Sequence, residues 1–209
     1  KKNIRDFENQ AEPNGTRIFN EMALRYNLKQ PWGFVVPEVS VRSLNNFYDQ
    51  DTVENANFRS NSEDKSVVVP QFTLDTGLTF EREGKYLQTL SPRAFYAYAP
   101  HQNQDDYPNF DSTAASLNYD QLFNPKRFYG HDRLEDNNFL SLGLSYSLFG
   151  TTGLEKLRTS IGQSFYFDDR KVTLNNSQND PFNTERQTGP VISIASQLSQ
   201  NFSVNANSM

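Results

Sequence analysis

The residues best suited to chemistry in this sequence are its two histidines, His101 and His131. His131 stands directly before Asp132 in the run RFYGHDR, and a His–Asp pair can serve as a general base or a metal site. Neither histidine has a second ligand at the spacing of a metal site. The sequence contains no G-x-S-x-G nucleophile motif, phosphate loop or dinucleotide fingerprint. We interpret Gly130 and Asp132 as turn residues, and we predict no catalytic residue, no metal site and no cofactor.

Four carboxylates in a polar stretch near 49–65 could bind divalent cations. No D-x-D-x-D-G calcium loop occurs, and scattered loop carboxylates are usually solvated. We therefore predict a solvated loop at these residues, which are Asp51, Glu54, Glu63 and Asp64.

The composition is polar but rich in aromatic residues. Hydrophobic residues make up 35% of the chain and the mean hydropathy is -0.75, and no run approaches the roughly 18 apolar residues of a transmembrane helix. A strand of a membrane barrel shows lipid only every second side chain, so its mean hydropathy looks soluble. The 17 Phe and 10 Tyr favour strands and the aromatic girdles of such barrels. The chain has no cysteine for a disulfide, and its net charge of -5 argues against a nucleic-acid partner.

Apolar and polar residues alternate in eight segments, which predicts eight strands. The clearest segment alternates Leu140, Leu142 and Leu144 with serine and glycine. The predicted strands cover about 17–29, 33–48, 66–82, 86–99, 138–149, 154–168, 189–199 and 201 onward. Short connections alternate with long polar ones, at about 49–65, 100–137 and 169–188, after a polar lead-in at 1–16. This sorting is typical of outer-membrane barrels, whose long loops face the cell exterior.

Parity restricts the register of each hairpin, because a one-residue shift turns every side chain to the other face. In the 138–168 hairpin we predict that Leu148 pairs with Leu157 and Leu144 with Ile161. In the 66–99 hairpin we predict that Phe72 pairs with Tyr96, Leu74 with Ala94 and Leu78 with Leu90, and that Asp75 lies opposite Arg93.

Prolines at 37, 70 and 92 fall inside predicted strands. Each removes a hydrogen bond from the ladder, which is unusual away from an edge or a bulge. We therefore predict local bulges at these three positions.

Several separated motifs resemble the barrel of the LptD family of lipopolysaccharide-assembly (organic-solvent-tolerance) proteins. They are VVVPQFTLDTGLTFER at 67–82, LSPRAFYAYAP at 90–100, FDSTAASLNYDQLFNPKRFYGHDRLEDNN at 110–138 and SIGQSFYFDDR at 160–170. The likeness is clear over about 30–170. It implies a Gram-negative outer-membrane barrel of about 26 antiparallel up-and-down strands. This chain would supply about eight of its central strands, in four hairpins.

The resemblance also implies function and partners. The family inserts lipopolysaccharide into the outer leaflet of the outer membrane and is not enzymatic. Its barrel encloses the lipoprotein LptE as a plug, contacts outer-membrane lipid, and is built by the barrel-assembly machinery. Because the sequence begins without Met and stops within a strand pattern, we expect residues 1–209 to be one fragment of the barrel domain. The N-terminal periplasmic domain and gate strands would then be missing.

The long loop at 100–137 is expected to be extracellular or folded into the lumen, where its aromatic residues would contact the plug. The alternative is a surface loop packed on itself. The aromatic residues predicted to contact the plug are Tyr107, Phe110, Tyr119, Phe123, Phe128 and Tyr129. The predicted lumen face holds Arg25, Glu38, Arg42, Asp75, Arg93, Lys156 and Arg158. The predicted lipid face holds Leu74, Leu78, Tyr96, Leu140, Leu142, Leu144, Leu148, Ile161 and Phe165.

Two other classes of protein fit the alternation. One is a soluble β-sandwich that binds carbohydrate, in which a second sheet covers the apolar face of the strands. The other is a different outer-membrane barrel, such as a porin or an adhesin. A small eight-stranded barrel of that kind would pair its first strand with its last.

Overall fold

A computed structural model describes residues 1–7, 15–48, 64–105, 107–174, 181–199 and 202–208. These residues form an all-β fold with two short helical turns, a 3₁₀ helix at Asp120–Phe123 and an α-helix at Pro181–Thr184. The strands are β1 (Lys2–Phe7), β2 (Gly15–Arg25), β3 (Leu28–Gln30), β4 (Gly33–Tyr48), β5 (Lys65–Leu78), β6 (Phe80–Arg82), β7 (Leu87–Ala99), β8 (Thr113–Ala114), β9 (Phe128–Tyr129), β10 (Asn137–Phe149), β11 (Glu155–Tyr166), β12 (Val191–Ser199) and β13 (Phe202–Ser208). No helix in these residues is both long and apolar enough to cross a membrane.

One antiparallel sheet runs through almost the whole fold in the order β1-β2-β4-β5-β7-β10-β11-β12-β13. The short strand β3 adds to β4, and β6 adds to β7, while β8 and β9 form a separate ribbon. This up-and-down order confirms the predicted fold class. Within the described residues β1 and β13 do not pair, so the sheet is open. The small closed eight-stranded barrel is therefore excluded for this part of the chain.

All eight predicted strands are present, but the polar lead-in was wrong. Lys2–Phe7 forms strand β1, which pairs with β2 from Lys2–Asn20 to Phe7–Gly15. The strand carries charged residues on both faces, so its sequence lacks the apolar alternation that identifies its neighbours. Its backbone is nonetheless paired along β2.

The predicted register is confirmed for one hairpin and wrong by two residues for the other. In the β10–β11 hairpin, Leu144 lies opposite Ile161 and Leu148 opposite Leu157. In the β5–β7 hairpin, Phe72 pairs with Tyr98 rather than Tyr96. The connection between β6 and β7 is centred one residue later than predicted, which moves the register by two and leaves every side chain on its predicted face.

The three prolines inside strands do not form the predicted bulges. The register of β4 with β5 runs unchanged past Pro37 and Pro70, and that of β7 with β10 past Pro92. Across from Pro37 and Pro92, gaps occur instead in the pairing with the other neighbouring strand. Pairing with β4 stops at Arg25 and resumes at Leu28, across from Pro37. A proline lacks the N–H that would donate to the neighbouring strand, so the ladder opens there but stays in step.

The sheet has two unlike faces. The open face carries exposed apolar side chains, including Met22 and Leu24, which are each 79% exposed. The covered face lies beneath the long loop, residues 100–136, which joins β7 to β10. Buried residues between that loop and the sheet form two apolar clusters, one around Leu44 and Leu134 and the other around Phe95 and Leu122.

The exposure of the open face contradicts the soluble β-sandwich. Leu142 and Leu144, at the centre of this face, are 46% and 39% exposed. Apart from the large sheet, the described residues contain only the β8–β9 ribbon, which is part of the long loop. A sandwich would bury these leucines beneath a second sheet.

Candidate functional site: the loop clamped to the covered face

The buried carboxylate of Asp132 organises the long loop. Its Oδ2 accepts hydrogen bonds from the backbone N–H groups of Phe110, Asp111 and Ser112, at 3.1, 2.9 and 2.9 Å. Its Oδ1 accepts a hydrogen bond from the guanidinium of Arg17 on β2. Charge-assisted hydrogen bonds of this kind are stronger than neutral ones. Asp132 therefore fixes the conformation of the loop and attaches it to the sheet.

Asp111 shares the same arginine. Arg17 Nη1 donates to Asp111 Oδ1 at 2.9 Å, and Arg5 on β1 forms a second ion pair with Asp111. Burial raises the pKa of the Asp111 carboxyl, but the hydrogen bonds and charges around it outweigh burial and hold this pKa below its ordinary value. Asp111 is therefore negatively charged at neutral pH and bridges the first two strands to the loop.

A second buried ion pair joins β4 to the loop. Arg42 Nη1 lies 2.5 Å from Glu135 Oε2, and Arg42 Nη2 donates to the backbone carbonyl of Glu135 at 3.1 Å. The side chains of Arg42 and Glu135 are 2% and 4% exposed. The other carboxylate oxygen of Glu135 accepts the backbone N–H of Phe128 at 3.4 Å. One carboxylate thus contacts both the sheet and the β8–β9 ribbon.

Arg133 holds the loop through backbone carbonyls. Its Nη2 donates to Tyr107 O at 2.5 Å, its Nη1 to Pro108 O at 2.9 Å, and its Nε to Thr173 O at 3.2 Å. Thr173 belongs to the second loop, which joins β11 to β12 and whose described residues are 167–174 and 181–190. The guanidinium of Arg133 therefore connects the two ends of the long loop and reaches the second loop as well.

Asp136 makes a further link between the two loops. Its carboxylate pairs with Arg127 at 2.6 Å and accepts the backbone N–H groups of Lys171 and Val172, at 2.7 and 3.2 Å. An acidic side chain at the end of the long loop thus fixes the start of the second loop.

Two facing glycines form the floor on which the 3₁₀ turn sits. Gly143 on β10 lies directly opposite Gly162 on β11. A Cβ atom on Gly143 would lie 2.5 Å from Phe123 Cζ and 2.7 Å from the hydroxyl of Tyr119, and one on Gly162 would lie 2.7 Å from Leu122 Cδ1. Only glycine leaves room for this close approach of the loop to the sheet.

Arg93 on β7 supports the same turn from the side. Its guanidinium lies 4.2 Å from the ring centroid of Phe123, which is a cation–π distance. It also makes two hydrogen bonds to Asp75 on β5, at 2.9 and 2.7 Å. The loop is therefore held by aromatic packing as well as by ion pairs.

We call the network of ion pairs and hydrogen bonds that ties the long loop to the sheet the clamp. The segments that form it also resemble known proteins. A family model described as LPS transport system D, LptD, matches residues 1–208. The chain belongs to the LptD family. The LPS-assembly protein LptD of Acinetobacter baumannii is 67% identical over 208 residues, and that of Acinetobacter baylyi is 65% identical over 209; each match covers all of this chain. The corresponding protein of Neisseria meningitidis serogroup B is 37% identical over 181 residues, covering 82% of this chain and 21% of that protein.

The chain spans about a quarter of the length of the two Acinetobacter proteins, 25% in each case. Membership of the LptD family confirms the resemblance that the motifs indicate. The clamp residues Arg127, Asp132, Arg133, Glu135 and Asp136 all lie within the longest of those motifs, FDSTAASLNYDQLFNPKRFYGHDRLEDNN.

The aromatic residues predicted to contact a plug mostly pack against this chain itself. Tyr107, Phe123 and Phe128 are buried, and Tyr119 packs edge-on against Phe123 with 5.2 Å between ring centroids. Tyr129 differs, because 57% of it is exposed. Phe110 is half-buried. Contact with a plug stays a prediction for this LptD-family chain, and Tyr129 is the residue whose exposure suits it best.

The residues predicted to face the lumen share the covered face, and most are ion-paired. Arg25 pairs with Glu38 at 2.5 Å, and Arg158 with Glu155 at 2.9 Å. Lys156 Nζ lies 5.8 Å from the centroid of the Tyr86 ring. The pairs of Arg42 and of Asp75 with Arg93 are described above. The full set on the covered face is Arg25, Glu38, Arg42, Asp75, Arg93, Lys156 and Arg158. That this face borders a lumen stays a prediction.

The residues predicted to face lipid share the open face. The register places Leu140 beside Tyr96 on β7 and beside Phe165 on β11, and Leu74 beside Tyr96. Leu78 and Ile161 are exposed there. The full set on this face is Leu74, Leu78, Tyr96, Leu140, Leu142, Leu144, Leu148, Ile161 and Phe165. Their contact with lipid stays a prediction.

The predictions for the histidines and the loop carboxylates concern residues that are only partly described. Gly130 has a φ of 100°, which suits the predicted turn, and the ring of His131 packs on that of Phe19 with 4.3 Å between centroids. The Asp132 carboxylate, in contrast, binds Arg17 and the loop backbone. The described residues contain no group of three or more His, Cys, Asp or Glu side chains suited to a metal. Asp64 is exposed. Three of the loop carboxylates, Asp51, Glu54 and Glu63, lie outside the described residues.

Sequence reasoning placed Arg42 on the covered face but did not single out Arg17, a second sheet arginine that holds the clamp. Arg17 has the same parity as Glu21 and Arg25 on β2, so alternation alone could have placed it on the covered face. Its partner Asp132 is 115 residues further along the chain. The dense run of charges at 127–136, within a loop rich in aromatic residues, was the available signal for a buried ionic network.

Proposed function

We propose that this chain forms part of the wall of an outer-membrane β-barrel that inserts lipopolysaccharide into the outer leaflet, with no catalytic role. The observation that carries this proposal is the unlike character of the two sheet faces in an LptD-family chain. Met22, Leu24 and Val39 are exposed on the open face, which is unfavourable in water over so wide a patch. Hydrocarbon is the solvent that suits such a face in an antiparallel sheet.

The covered face supports the other half of the proposal. It is polar and ion-paired, as the inner wall of a membrane barrel usually is. In the antiparallel order, the connections between β3 and β4, β6 and β7, β10 and β11, and β12 and β13 lie at one end of the sheet. The long and second loops lie at the other end. We propose that this second end faces the cell exterior.

The proposed partners are those that the LptD family implies, and the two faces of the sheet suit where each partner would lie. Lipopolysaccharide and outer-membrane lipid would contact the barrel wall, and the lipoprotein LptE would occupy the space bounded by the covered face. The open edges at β1 and β13 suit pairing with further strands of the same barrel, which the barrel-assembly machinery would join during biogenesis. Unpaired strand edges otherwise promote aggregation.

Two adjacent residues on β12 provide a matched test. Ile194 is 41% exposed on the open face, while Ser193 lies on the covered face opposite Ser160. In a full-length LptD-family protein carrying this sequence, Ile194→Arg should strongly reduce folded barrel in the outer membrane. Arginine on a lipid-facing strand position costs about 2–4 kcal/mol near the bilayer midplane. Ser193→Arg should be much milder.

The measurement is the amount of heat-modifiable, folded protein in isolated outer membranes, together with lipopolysaccharide exposed at the cell surface. Ser145 on β10 also lies on the covered face, but it is a poor control position. Its hydroxyl donates to the hydroxyl of Tyr119 in the long loop at 2.9 Å, so arginine there would disturb the loop. Equal loss of folded protein in the Ile194 and Ser193 variants would contradict the assignment of the faces. Normal assembly of the Ile194 variant would do the same.

A further inference from the structure

A cleft of about 710 Å³ opens on the covered face between the long loop and the second loop. The side chains of Leu117, Leu122, Phe128 and Phe139 form much of its apolar wall. Ligand sites typically combine such a wall with a few converging polar groups. The clamp borders this cleft through Arg127, which lines it and pairs with Asp136, but the ion pairs of the clamp do not fill the space.

One charged side chain lines the cleft without a carboxylate partner. Arg170 is only 7% exposed, and its Nη1 is buried with no hydrogen-bond partner within the described part of the chain. Among the described residues, Arg17, Arg42 and Arg127 each pair with a carboxylate within 4.0 Å, but no such pair involves Arg170. Burying an unpaired charge is costly.

Arg170 also contacts an aromatic ring. Its guanidinium carbon lies 3.6 Å from the centroid of the Tyr166 ring, which is a cation–π distance. A cation–π contact does not use the hydrogen-bonding capacity of the guanidinium N–H groups. A planar group with parallel N–H donors matches the two oxygens of a carboxylate.

A second unpaired group lies on the same cleft. Thr173 Oγ1 is buried and has no hydrogen-bond partner among the residues that the structure describes, and Thr173 lines the cleft together with Arg170 and Tyr166. Buried donors without partners are rare in native structures. Two of them beside an apolar wall indicate a ligand that carries an acceptor at one end and hydrocarbon at the other.

We propose that this cleft binds a singly charged anion attached to an apolar group, with its carboxylate on Arg170 and its hydrocarbon against the wall formed by Leu117, Leu122, Phe128 and Phe139. Thr173 would donate a further hydrogen bond to the same anion. Glu185 also lines the cleft, and its negative charge disfavours a doubly charged phosphate monoester. This site goes beyond the proposed barrel function, and its test reads binding rather than membrane assembly, so the two can fail separately.

The test uses a full-length LptD-family protein carrying this sequence, folded in dodecyl maltoside micelles, and [1-¹³C]octanoate as the probe. Carbon NMR titration should show saturable binding that empty micelles lack. Arg170→Gln should weaken this binding about tenfold or more, because a charge-assisted hydrogen bond is lost. Arg186→Gln is the matched control, since Arg186 is an exposed arginine of the second loop whose pairing with Asp169 is at the surface.

Three further probes test the chemistry on unaltered protein, so the result does not depend on any variant folding. Acetate lacks the hydrocarbon, 1-octanol lacks the charge, and octyl phosphate carries a second charge. Each of the three should bind more weakly than octanoate, and octanoate should displace the fraction that binds. Equal binding of 1-octanol, or octanoate binding that Arg170→Gln leaves unchanged, would overturn the role of the arginine. Equal binding of acetate would overturn the apolar wall, and tighter binding of octyl phosphate would overturn the preference for a single charge.

Discussion

The guanidinium of Arg42 on β4 lies 2.5 Å from the carboxylate of Glu135 in the long loop, and the two side chains are 2% and 4% exposed. In a buried pair of this kind, the electrostatic attraction largely offsets the free energy that both charges lose when they leave water. Its main consequence is that neither partner can stay buried alone. The loop and the sheet are therefore coupled at this point.

The first prediction concerns removal of one partner from that pair. Glu135→Leu leaves the Arg42 guanidinium buried without its carboxylate and should destabilise the clamped state by about 3–5 kcal/mol. In a full-length protein in detergent, trypsin should then cut the long loop after Lys126 or Arg127, which the native clamp protects.

The matched control is Glu155→Leu, which removes an exposed ion pair with Arg158. Exposed pairs contribute about 0–1 kcal/mol, so the loop should resist trypsin in this variant. The double variant Arg42→Met with Glu135→Leu should recover part of the resistance, because no buried charge is left unpaired. Unchanged resistance in Glu135→Leu would show that the pair does not hold the loop.

The second prediction concerns the glycine floor. In Gly143→Val the new Cβ would lie 2.5 Å from Phe123 Cζ, so the Phe123 ring must shift, and we expect the 3₁₀ turn that carries it to move away from the sheet. Overpacking of this kind costs about 1–3 kcal/mol. Faster hydrogen exchange at 119–123, measured by mass spectrometry, should report the shift. Gly189→Val is the control, because nothing lies within 4 Å of a Cβ there, and comparable exchange in both variants would contradict the prediction.

The strands could be predicted from the sequence because alternation is a local signal, but the clamp could not. The β10–β11 register was predicted correctly since Leu142 and Leu144 alternate strictly with small polar residues up to a short turn. The β5–β7 register was wrong because the polar turn before Leu87 fits two lengths. Arg17 and Asp132 meet across 115 positions, and no spacing within the sequence encodes that contact. Asp132 was read as a turn residue, which is only part of its role.

The third prediction concerns pH. Burial lowers the pKa of His131 from its ordinary value of 6.5, and the positive charges of Arg17, Lys1 and Lys126 lower it further against the opposing charge of Asp111. A lowered pKa means that the folded clamp favours neutral histidine. The contribution of His131 to the free energy of unfolding is complete above about pH 6.5. This contribution is lost as the pH falls through the lower pKa of the folded state.

Hydrogen exchange of residues 127–136 should therefore accelerate between neutral and mildly acidic pH, after correction for the intrinsic exchange rate. His131→Gln should remove most of this acceleration, because the side chain no longer titrates. His101→Gln should preserve it, since His101 is exposed and outside the clamp. An acceleration that persists in His131→Gln would assign the pH dependence to another group.

The last prediction separates the proposed contact of the loop with a plug from the packing of the loop on the sheet. Tyr129 is 57% exposed while its neighbour Phe128 is buried, so the two adjacent aromatic residues should respond differently to truncation. Tyr129→Ala should leave the folded barrel unchanged but weaken co-purification of the lipoprotein plug, because interface aromatic residues often dominate binding energy. Phe128→Ala should instead destabilise the loop itself by about 3–5 kcal/mol and increase cleavage by trypsin. If the plug is recovered equally well from Tyr129→Ala and from the unaltered protein, the exposed side of this loop does not hold it. The polar residues of the covered face would then be the next surface to test.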